Sequence, residues 1–359
     1  MLDNTIHIMD KVLSIIVPTY NMEACLEKNL KSLILEYGEE RLEVIVVNDG
    51  STDKSSEIAH TFQTEYPNIF KVIDKKNGNY GSCINAGLKV VCGKYVKIMD
   101  ADDNYFTNNL KPFVDYLESQ DADLIFNDYL KYYAESDKEI VSFSIPSCVM
   151  LNVKDYYDSD AMANIQMPAI TYKTEILQRM GYRQTEGISY TDMEWCFLPI
   201  YGVKTISYFN RQMYCYMLNR AGQTMDPSVQ VKKFSMVIQS LLNILHTYAG
   251  FQLDCDCKRY YIDQLLRHSL YVYRFYLVIN KTLERDSLFQ FDKVLSTCCP
   301  EAYENSGEFE YRLHLPYKYV AEWRKNGRKD IPKYILAAEA ILDFVGSLRK
   351  KIRNYEYNK

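Results

Sequence analysis

The stretch YVKIMDADDNY, residues 95 to 105, sets three carboxylates, Asp100, Asp102 and Asp103, into four positions directly after a run of strand-forming residues. Like charges this close disfavour one another unless a cation or a set of hydrogen-bond donors joins them. Two other apolar runs end in a similar way. VLSIIV is followed by Pro18, Thr19, Tyr20 and Asn21, then Glu23, and LEVIVV is followed by NDGSTD, which contains Asp49. A single Asp- or Asn-rich loop means little, because these residues favour turns. Three of them after three strands imply one shared rim, and parallel sheets bind ligands beyond the carboxyl ends of their strands. The loops carry neither the G-x-G-x-x-G of a dinucleotide fold nor the Gly-rich, Lys-Ser/Thr ending of a P-loop. The rim offers carboxylates and few cations, so a phosphate held there requires a divalent ion in between. Mg²⁺ or Mn²⁺ takes oxygen ligands, commonly one or two carboxylates plus the phosphates themselves.

The elements that must position these loops follow from the pattern. VLSIIV (12 to 17), LEVIVV (42 to 47), FKVID (70 to 74), YVKIM (95 to 99) and DLIFN (123 to 127) read as strands. Near-continuous Val/Ile runs indicate strands covered on both faces, hence a mainly parallel sheet. Helical stretches are expected at roughly 22 to 37, 53 to 65 and 80 to 91, the second opened by a cap signal at Ser51 and Thr52 ahead of Asp53. The alternation is that of a doubly wound α/β fold. Residues 128 to 190 are less regular, and YTDMEWCFLPIYG (190 to 202) returns to a helical pattern. VKTISYF and QMYCYML read as two strands joined by a turn at Asn210 and Arg211. From about 229 the pattern is helical to the end, which places a domain boundary near 226, within GQTMDPS, and divides the chain into 1–226 and 227–359.

Composition sets the remaining bounds. The chain has 359 residues and a net charge of -5, which gives no global basic field for nucleic acid. It has 32 tyrosines, and tyrosine-lined surfaces suit sugars, though each is better explained singly as core or interface filler. Ten cysteines at irregular spacings, including Cys255-x-Cys257 and Cys298-Cys299, match no zinc pattern and read as reduced, mostly buried thiols. The opening MLDNTIHIMDK lacks the basic start and apolar stretch of a secretory leader, so none is expected. No apolar run reaches the roughly 20 residues of a membrane span.

IIVPTYNMEACLEKNLKSL, VIVVNDGSTDKS and NAGLKVVCGKYVKIMDADD together resemble the family 2 glycosyltransferases, which have a GT-A fold. Order and spacing match from about residue 12 to 105, and a weaker match continues to about 226. The resemblance implies a nucleotide-sugar half at about 12–105 and an acceptor half at about 106–226. It also implies nucleotide contacts from Pro18, Thr19, Tyr20, Asn21, Asp49, Asn77, Gly81 and Ala101, with Glu23 beside them as a structural or binding partner. Asp100 would bond the ribose and Asp102 would hold Mn²⁺ or Mg²⁺ on the diphosphate. Asp103 would either support that ligand from behind or cap the helix expected from about 107. Family members often carry an Arg just before the Asn of NAG; here Ile84 stands in its place, and Arg220 of YMLNRAGQTMD is the candidate to replace its charge. A helix start in the family supplies the base that deprotonates the acceptor hydroxyl. SYTDMEWCF fits that pattern, with Asp192 in the base position, Thr191 where Glu is usual, and Glu194 as competitor.

The implied activity is inverting, metal-dependent hexosyl transfer from a nucleotide-diphospho-sugar, UDP-linked, to a saccharide or lipid-linked acceptor in bacterial surface-polysaccharide assembly. The 128 to 190 segment and the helical C-terminal region would shape the acceptor site, and the setting would be the cytoplasm or the inner face of the membrane. A sugar-phosphate nucleotidyltransferase would need a Gly-rich, Arg-containing loop after the first strand, and PTYNMEA has none. The alternative is a catalytically silent nucleotide-sugar-binding or scaffold protein. The last helix, roughly 332 to 353, aligns Tyr334, Ala338, Ile341, Val345, Leu348 and Ile352 on one stripe, with Arg349, Lys350, Lys351 and Arg353 near its end. That stripe either packs on the protein or touches anionic membrane.

Overall fold

The computed structural model describes residues 11–218 except 36, 227–279, 285–310, 317–327, and 331–345 except 339 and 343. Four short runs rich in Val and Ile begin the sheet, β1 (Leu13–Thr19), β2 (Leu42–Asn48), β3 (Phe70–Asp74) and β4 (Tyr95–Ile98), and after the two-residue β5 (Asn104–Tyr105) comes the longer β6 (Leu124–Ala134). Then come β7 (Asp137–Val141), β8 (Leu151–Asn152), β9 (Ile170–Lys173) and β10 (Thr205–Met217). The helices between them are α1 (Leu26–Lys31), α2 (Ser55–Glu65), α3 (Asn79–Leu88), α4 (Thr107–Ser119), α5 (Asp160–Ala163), α6 (Thr174–Arg179) and α7 (Asp192–Phe197).

The strands form one mixed sheet in the order β3-β2-β1-β4-β9-β6-β10-β5, with β7 on β6 and β8 on β10. β1, β2, β3 and β4 are mutually parallel, as their unbroken apolar runs require, while β9 runs antiparallel to both β4 and β6. Every residue of β1, β2 and β4 is buried, whereas β3 at the sheet edge is half open. The chain goes outward from β1 to β3 and returns across β1 to β4. That reversal makes a crevice between β1 and β4 on the carboxyl side, the usual binding place of such sheets. Thr19 pairs with Asn48 and Asn48 with Asp74, so the strand ends are level and their loops share one rim.

Three local expectations are corrected. α2 starts at Ser55, later than the sequence suggested; Asp53 accepts the Ser55 N–H at 2.9 Å, and Ser51 instead accepts the Asn21 N–H at 3.0 Å. The two strands foreseen around Asn210 and Arg211 are one strand, β10, whose register against β6 shifts between Phe209 and Tyr214. A polar, exposed dipeptide there is a bulge and not a reversal, since extra residues in one strand bend it without ending it. Only Cys83, Cys257 and Cys299 of the ten cysteines are buried.

Where β4 stops pairing with β9 after Val96, a side chain takes over. Lys97 is fully buried, and its Nζ donates to Asn127 Oδ1 at 3.0 Å, Pro168 O at 2.8 Å and Ile170 O at 2.9 Å. Burial pushes this ammonium well below its usual pKa.

The chain groups into two compact units, Met1–Ile244 and Leu245–Lys359. α8 (Pro227–Tyr248) spans the division. The second unit contains α9 (Cys255–Arg274), α10 (Asp286–Cys298), α11 (Pro300–Glu308) and α12 (Tyr319–Lys325). Its core is rich in tyrosine, and a buried ion pair of Arg324 with Asp292, 2.8 Å, is shared with the Tyr273 hydroxyl. Along 333–345, Tyr334 and Ile341 are 72% and 63% exposed, so the described part of the apolar stripe lies open. Leu348 and Ile352, with Arg349, Lys350, Lys351 and Arg353, lie outside the described residues.

Candidate active site

The first two rim loops are tied together by their own polar groups. The Asp49 N–H donates to Thr19 O at 2.8 Å, Thr52 N–H to Asn21 Oδ1 at 2.8 Å, and Lys54 N–H to Glu23 Oε2 at 3.0 Å. Glu23 therefore acts as a structural brace across the two loops. Asn21 adopts a left-handed φ of 53°, a conformation Asn tolerates better than most residues. Pro18 and Thr19 are buried at the end of β1, and Tyr20 is 47% exposed beyond them.

Asp49 is buried and paired with Lys75 Nζ at 2.6 Å; the same carboxylate oxygen accepts the Gly78 N–H at 2.9 Å. Lys75 adds a cation that was not foreseen to a rim expected to hold few. It directly follows β3, and asking what succeeds the third strand would have found it. Asn77 is exposed, and Gly50, with φ of +73°, passes so close that a Cβ would meet the Asn77 backbone nitrogen at 3.2 Å.

The acid turn sits beyond β4. The ligand oxygens of Asp100, Asp102 and Asp103 lie within 4.8 Å of one another. Asn29 Nδ2 donates to the carbonyls of Asp100 and Asp103, both at 2.9 Å, and closes the turn from below. Tyr80 donates to Asp100 Oδ1 at 2.7 Å. Burial, and then the neighbouring Asp102, push the Asp100 carboxyl up to about 7. Asp103 is 1% exposed; Tyr214 donates to its Oδ2 at 2.6 Å and the Met217 N–H to its Oδ1 at 2.7 Å. It does not cap α4, whose cap position is Phe106. Ala101, between the two, is buried.

Gly81 and Asn85 of α3 face the segment leading to α7. A Cβ on Gly81 would overlap the Thr185 carbonyl oxygen, so its lack of a side chain permits that contact. Asn85 exchanges two 2.9 Å hydrogen bonds with the Gln184 backbone. Ile84, at the position where an Arg was wanted, is fully buried in the core. The chain then turns through Tyr190, at φ of 65°, and Asp192 opens α7. The Asp192 side chain reaches water, yet crowding by surrounding atoms still raises its pKa, and its charge weighs on Asp100. Glu194 is fully buried, bonded to the Thr185 N–H at 2.8 Å and the Ser240 hydroxyl at 3.2 Å, which makes it a brace rather than a base. Arg220 lies outside the described residues.

Lys75, Tyr80, Tyr214 and Asn29 were missed by sequence reasoning. Asn29 lies inside the first of the motif stretches and Tyr80 beside Gly81, but nothing local marks either of them or Tyr214; the partners of these three are up to 114 residues away. Within the second unit a cavity of about 420 Å³ is lined by residues including Tyr248, Phe251, Lys258 and Glu301, none of them an expected site residue.

Residues 14–167 match the model of the family described as glycosyl transferase family 2. Residues 14–167 carry a family 2 glycosyltransferase domain. Over 230 residues it is 27% identical to an uncharacterized glycosyltransferase, the MG060 homolog of Mycoplasma pneumoniae, covering 62% of this chain and 74% of that one. Among solved structures, this glycosyltransferase is similar to residues 1–349 of S. aureus TarS in complex with UDP-GlcNAc. The TM-score is 0.65 at 18% identity, over 88% of this chain and 92% of that one. A mannosyltransferase of Pyrobaculum calidifontis, solved with GDP-Man and Mn²⁺, aligns with a TM-score of 0.50 at 16% identity, over 92% and 86% of the two chains. Both likenesses support the GT-A fold of the glycosyltransferase unit.

Proposed function

We propose that the protein moves a sugar, with inversion, from a UDP-sugar to a hydroxyl of a saccharide or lipid-linked acceptor, using Mn²⁺ or Mg²⁺ held by Asp102. The observation that carries this reading is the carboxylate group at the β1/β4 crevice, with oxygens within 4.8 Å and Asp192 close enough to perturb Asp100. An all-oxygen, carboxylate donor set fits a hard divalent cation. When bound, that ion would offset the negative charge developing on the leaving diphosphate.

The protein's own groups would do the rest. Pro18, Thr19, Tyr20, Asn21, Asp49 and Asn77, at the strand ends and in the loops after them, and Gly81 in the first turn of α3 would hold the nucleotide, with Glu23 bracing the loops. Asp100 and Ala101 would meet the ribose, and Arg220 would add a cation near the diphosphate. Asp192 would take the acceptor proton as its oxygen attacks the anomeric carbon. A raised carboxyl pKa makes Asp192 a stronger base than an ordinary aspartate. UDP-GlcNAc in TarS supports the uridine donor, and Mn²⁺ in the mannosyltransferase supports the ion. Among the described residues no helix is long and apolar enough to cross a membrane. The open Tyr334 and Ile341 favour peripheral contact at the cytoplasmic membrane face, where a lipid-linked acceptor in polysaccharide assembly would lie.

The test is a panel of UDP- and GDP-sugars with Mn²⁺ or with EDTA, read by thermal midpoint and nucleotide release. A ligand at about 100 times its Kd adds about 2.7 kcal/mol, an easily read shift. One UDP-sugar should raise the midpoint and release UDP only with the metal. No response to any nucleotide-sugar would sink the donor assignment, and release that ignores EDTA would remove the metal.

A further inference from the structure

We infer that Tyr214 is a positioning residue for the metal-binding turn, brought there by the bulge in β10; the inference rests on the function proposed above. Against β6, Phe209 pairs with Asn127, Gln212 with Asp128 and Tyr214 with Tyr129, so five steps along β10 match two along β6. Extra residues of this kind re-aim the side chains that follow them. The carbonyls set loose by the bulge are used again. Gln212 O accepts from Asn109 Nδ2 at 2.7 Å and Met213 O from the Phe106 N–H at 3.0 Å. Immediately past the bulge, Tyr214 pairs with Tyr105 and Cys215 with Asn104, which stitches the chain just after the acid turn to β10.

The Tyr214 hydroxyl then holds both ends of the turn that carries Asp102. It donates to Asp103 Oδ2 at 2.6 Å and accepts the Asp100 N–H at 3.1 Å. Met217 N–H holds the other Asp103 oxygen at 2.7 Å, and Tyr80 holds Asp100 Oδ1 at 2.7 Å. Asp102 thus projects from a turn pinned at the residues on either side of it. A divalent ion demands ligands at closely set distances, so a loosened turn weakens metal binding before it weakens anything else.

Tyr105 supplies the control. Its ring lies edge-on to that of Tyr214, centroids 5.6 Å apart, and its buried hydroxyl has no hydrogen-bond partner among the described residues. Tyr214→Phe and Tyr105→Phe therefore remove the same atom from adjacent buried rings, one bonded and one not. UDP binding is measured by calorimetry with Mn²⁺ and with EDTA, and Mn²⁺ uptake by electron paramagnetic resonance with UDP present. Tyr214→Phe should lose about tenfold in Mn²⁺-dependent UDP affinity and in Mn²⁺ affinity, while UDP affinity in EDTA changes less than about twofold. Tyr105→Phe should match wild type throughout. Unchanged Mn²⁺ affinity in Tyr214→Phe overturns the inference, as does an equal loss with and without metal, which would mark general damage to packing. A wild-type protein that binds UDP under neither condition overturns the proposed donor, and this inference with it.

Discussion

Replacing Gly81 by alanine tests whether α3 and the segment before α7 are packed as described. In a helix, Ala is better than Gly by about 1 kcal/mol. Here its Cβ would overlap the Thr185 carbonyl oxygen and stand 3.0 Å from the carbonyl carbon and 3.2 Å from Gln184 Cβ. The main obstacle is main chain, so no change of rotamer relieves it, and the segment must retreat. Overpacking of this kind costs about 1–3 kcal/mol. The retreat also stretches the paired 2.9 Å hydrogen bonds between Asn85 and Gln184, worth about 1 kcal/mol each. Net of the helical gain, the loss should be about 1–3 kcal/mol. For a folding unit of this size that is a fall in thermal midpoint of about 3–10 °C, read by circular dichroism on the ligand-free protein. Because the displaced segment leads to Asp192, turnover should fall further than donor affinity, since an error of about 1 Å in a reacting group can cost about a hundredfold. A midpoint that stays level or rises refutes the packing argument. An unchanged midpoint with UDP binding lost would instead make Gly81 a direct nucleotide contact.

Asp102→Asn should abolish Mn²⁺-dependent UDP binding in calorimetry while the melting curve stays near wild type; undiminished binding with Mn²⁺ would remove its metal role. Asp192→Asn should keep donor binding and lower transfer by about 10²–10⁴-fold, the usual worth of a general base, and near-normal turnover would disqualify it. Because the raised pKa of Asp192 must be exceeded before it can accept a proton, the acid limb of the rate profile should lie above the ordinary aspartate value of about 4 and vanish in that variant. Asp100, pushed up to about 7, favours the folded state most when protonated. Its stabilising contribution in metal-free protein is complete below the unfolded value of about 4 and disappears as pH rises through about 7. Midpoints measured from pH 4 to 8 should show this fall in wild type and less of it in Asp100→Asn. Truncation before Pro332 should weaken binding to anionic liposomes at low salt, and an intact protein that ignores them would rule out membrane contact through the open stripe.

The parallel strands were legible because burial on both faces leaves the sequence no choice but continuous Val and Ile, as in LEVIVV. The carboxylate rim was legible because its residues follow those strands directly. What escaped depends on distant partners. Asp103 could be read from its neighbours either as support behind the metal ligand or as a helix cap, and its partners on β10, more than a hundred residues later, decide against the cap. Asn210 and Arg211 have the composition of a turn, and a bulge uses the same polar, exposed residues. Lys75 and Asp49 are separated by 26 residues and brought together only by the level ends of β2 and β3.

Lys97 has a consequence for how this molecule could be recombined. Its ammonium does the work of a missing length of strand, collecting two carbonyls near the start of β9 and the Asn127 amide of β6. A chimera that takes residues up to Ile98 from one parent and the rest from another inherits the cation without a guarantee of its three acceptors. Such hybrids should sort by whether Asn127 and the 168–170 backbone travel with the lysine, even when both parents handle the same donor. The interchangeable parts of this enzyme are therefore not its sequence halves, but blocks cut so that this one buried charge keeps its own company.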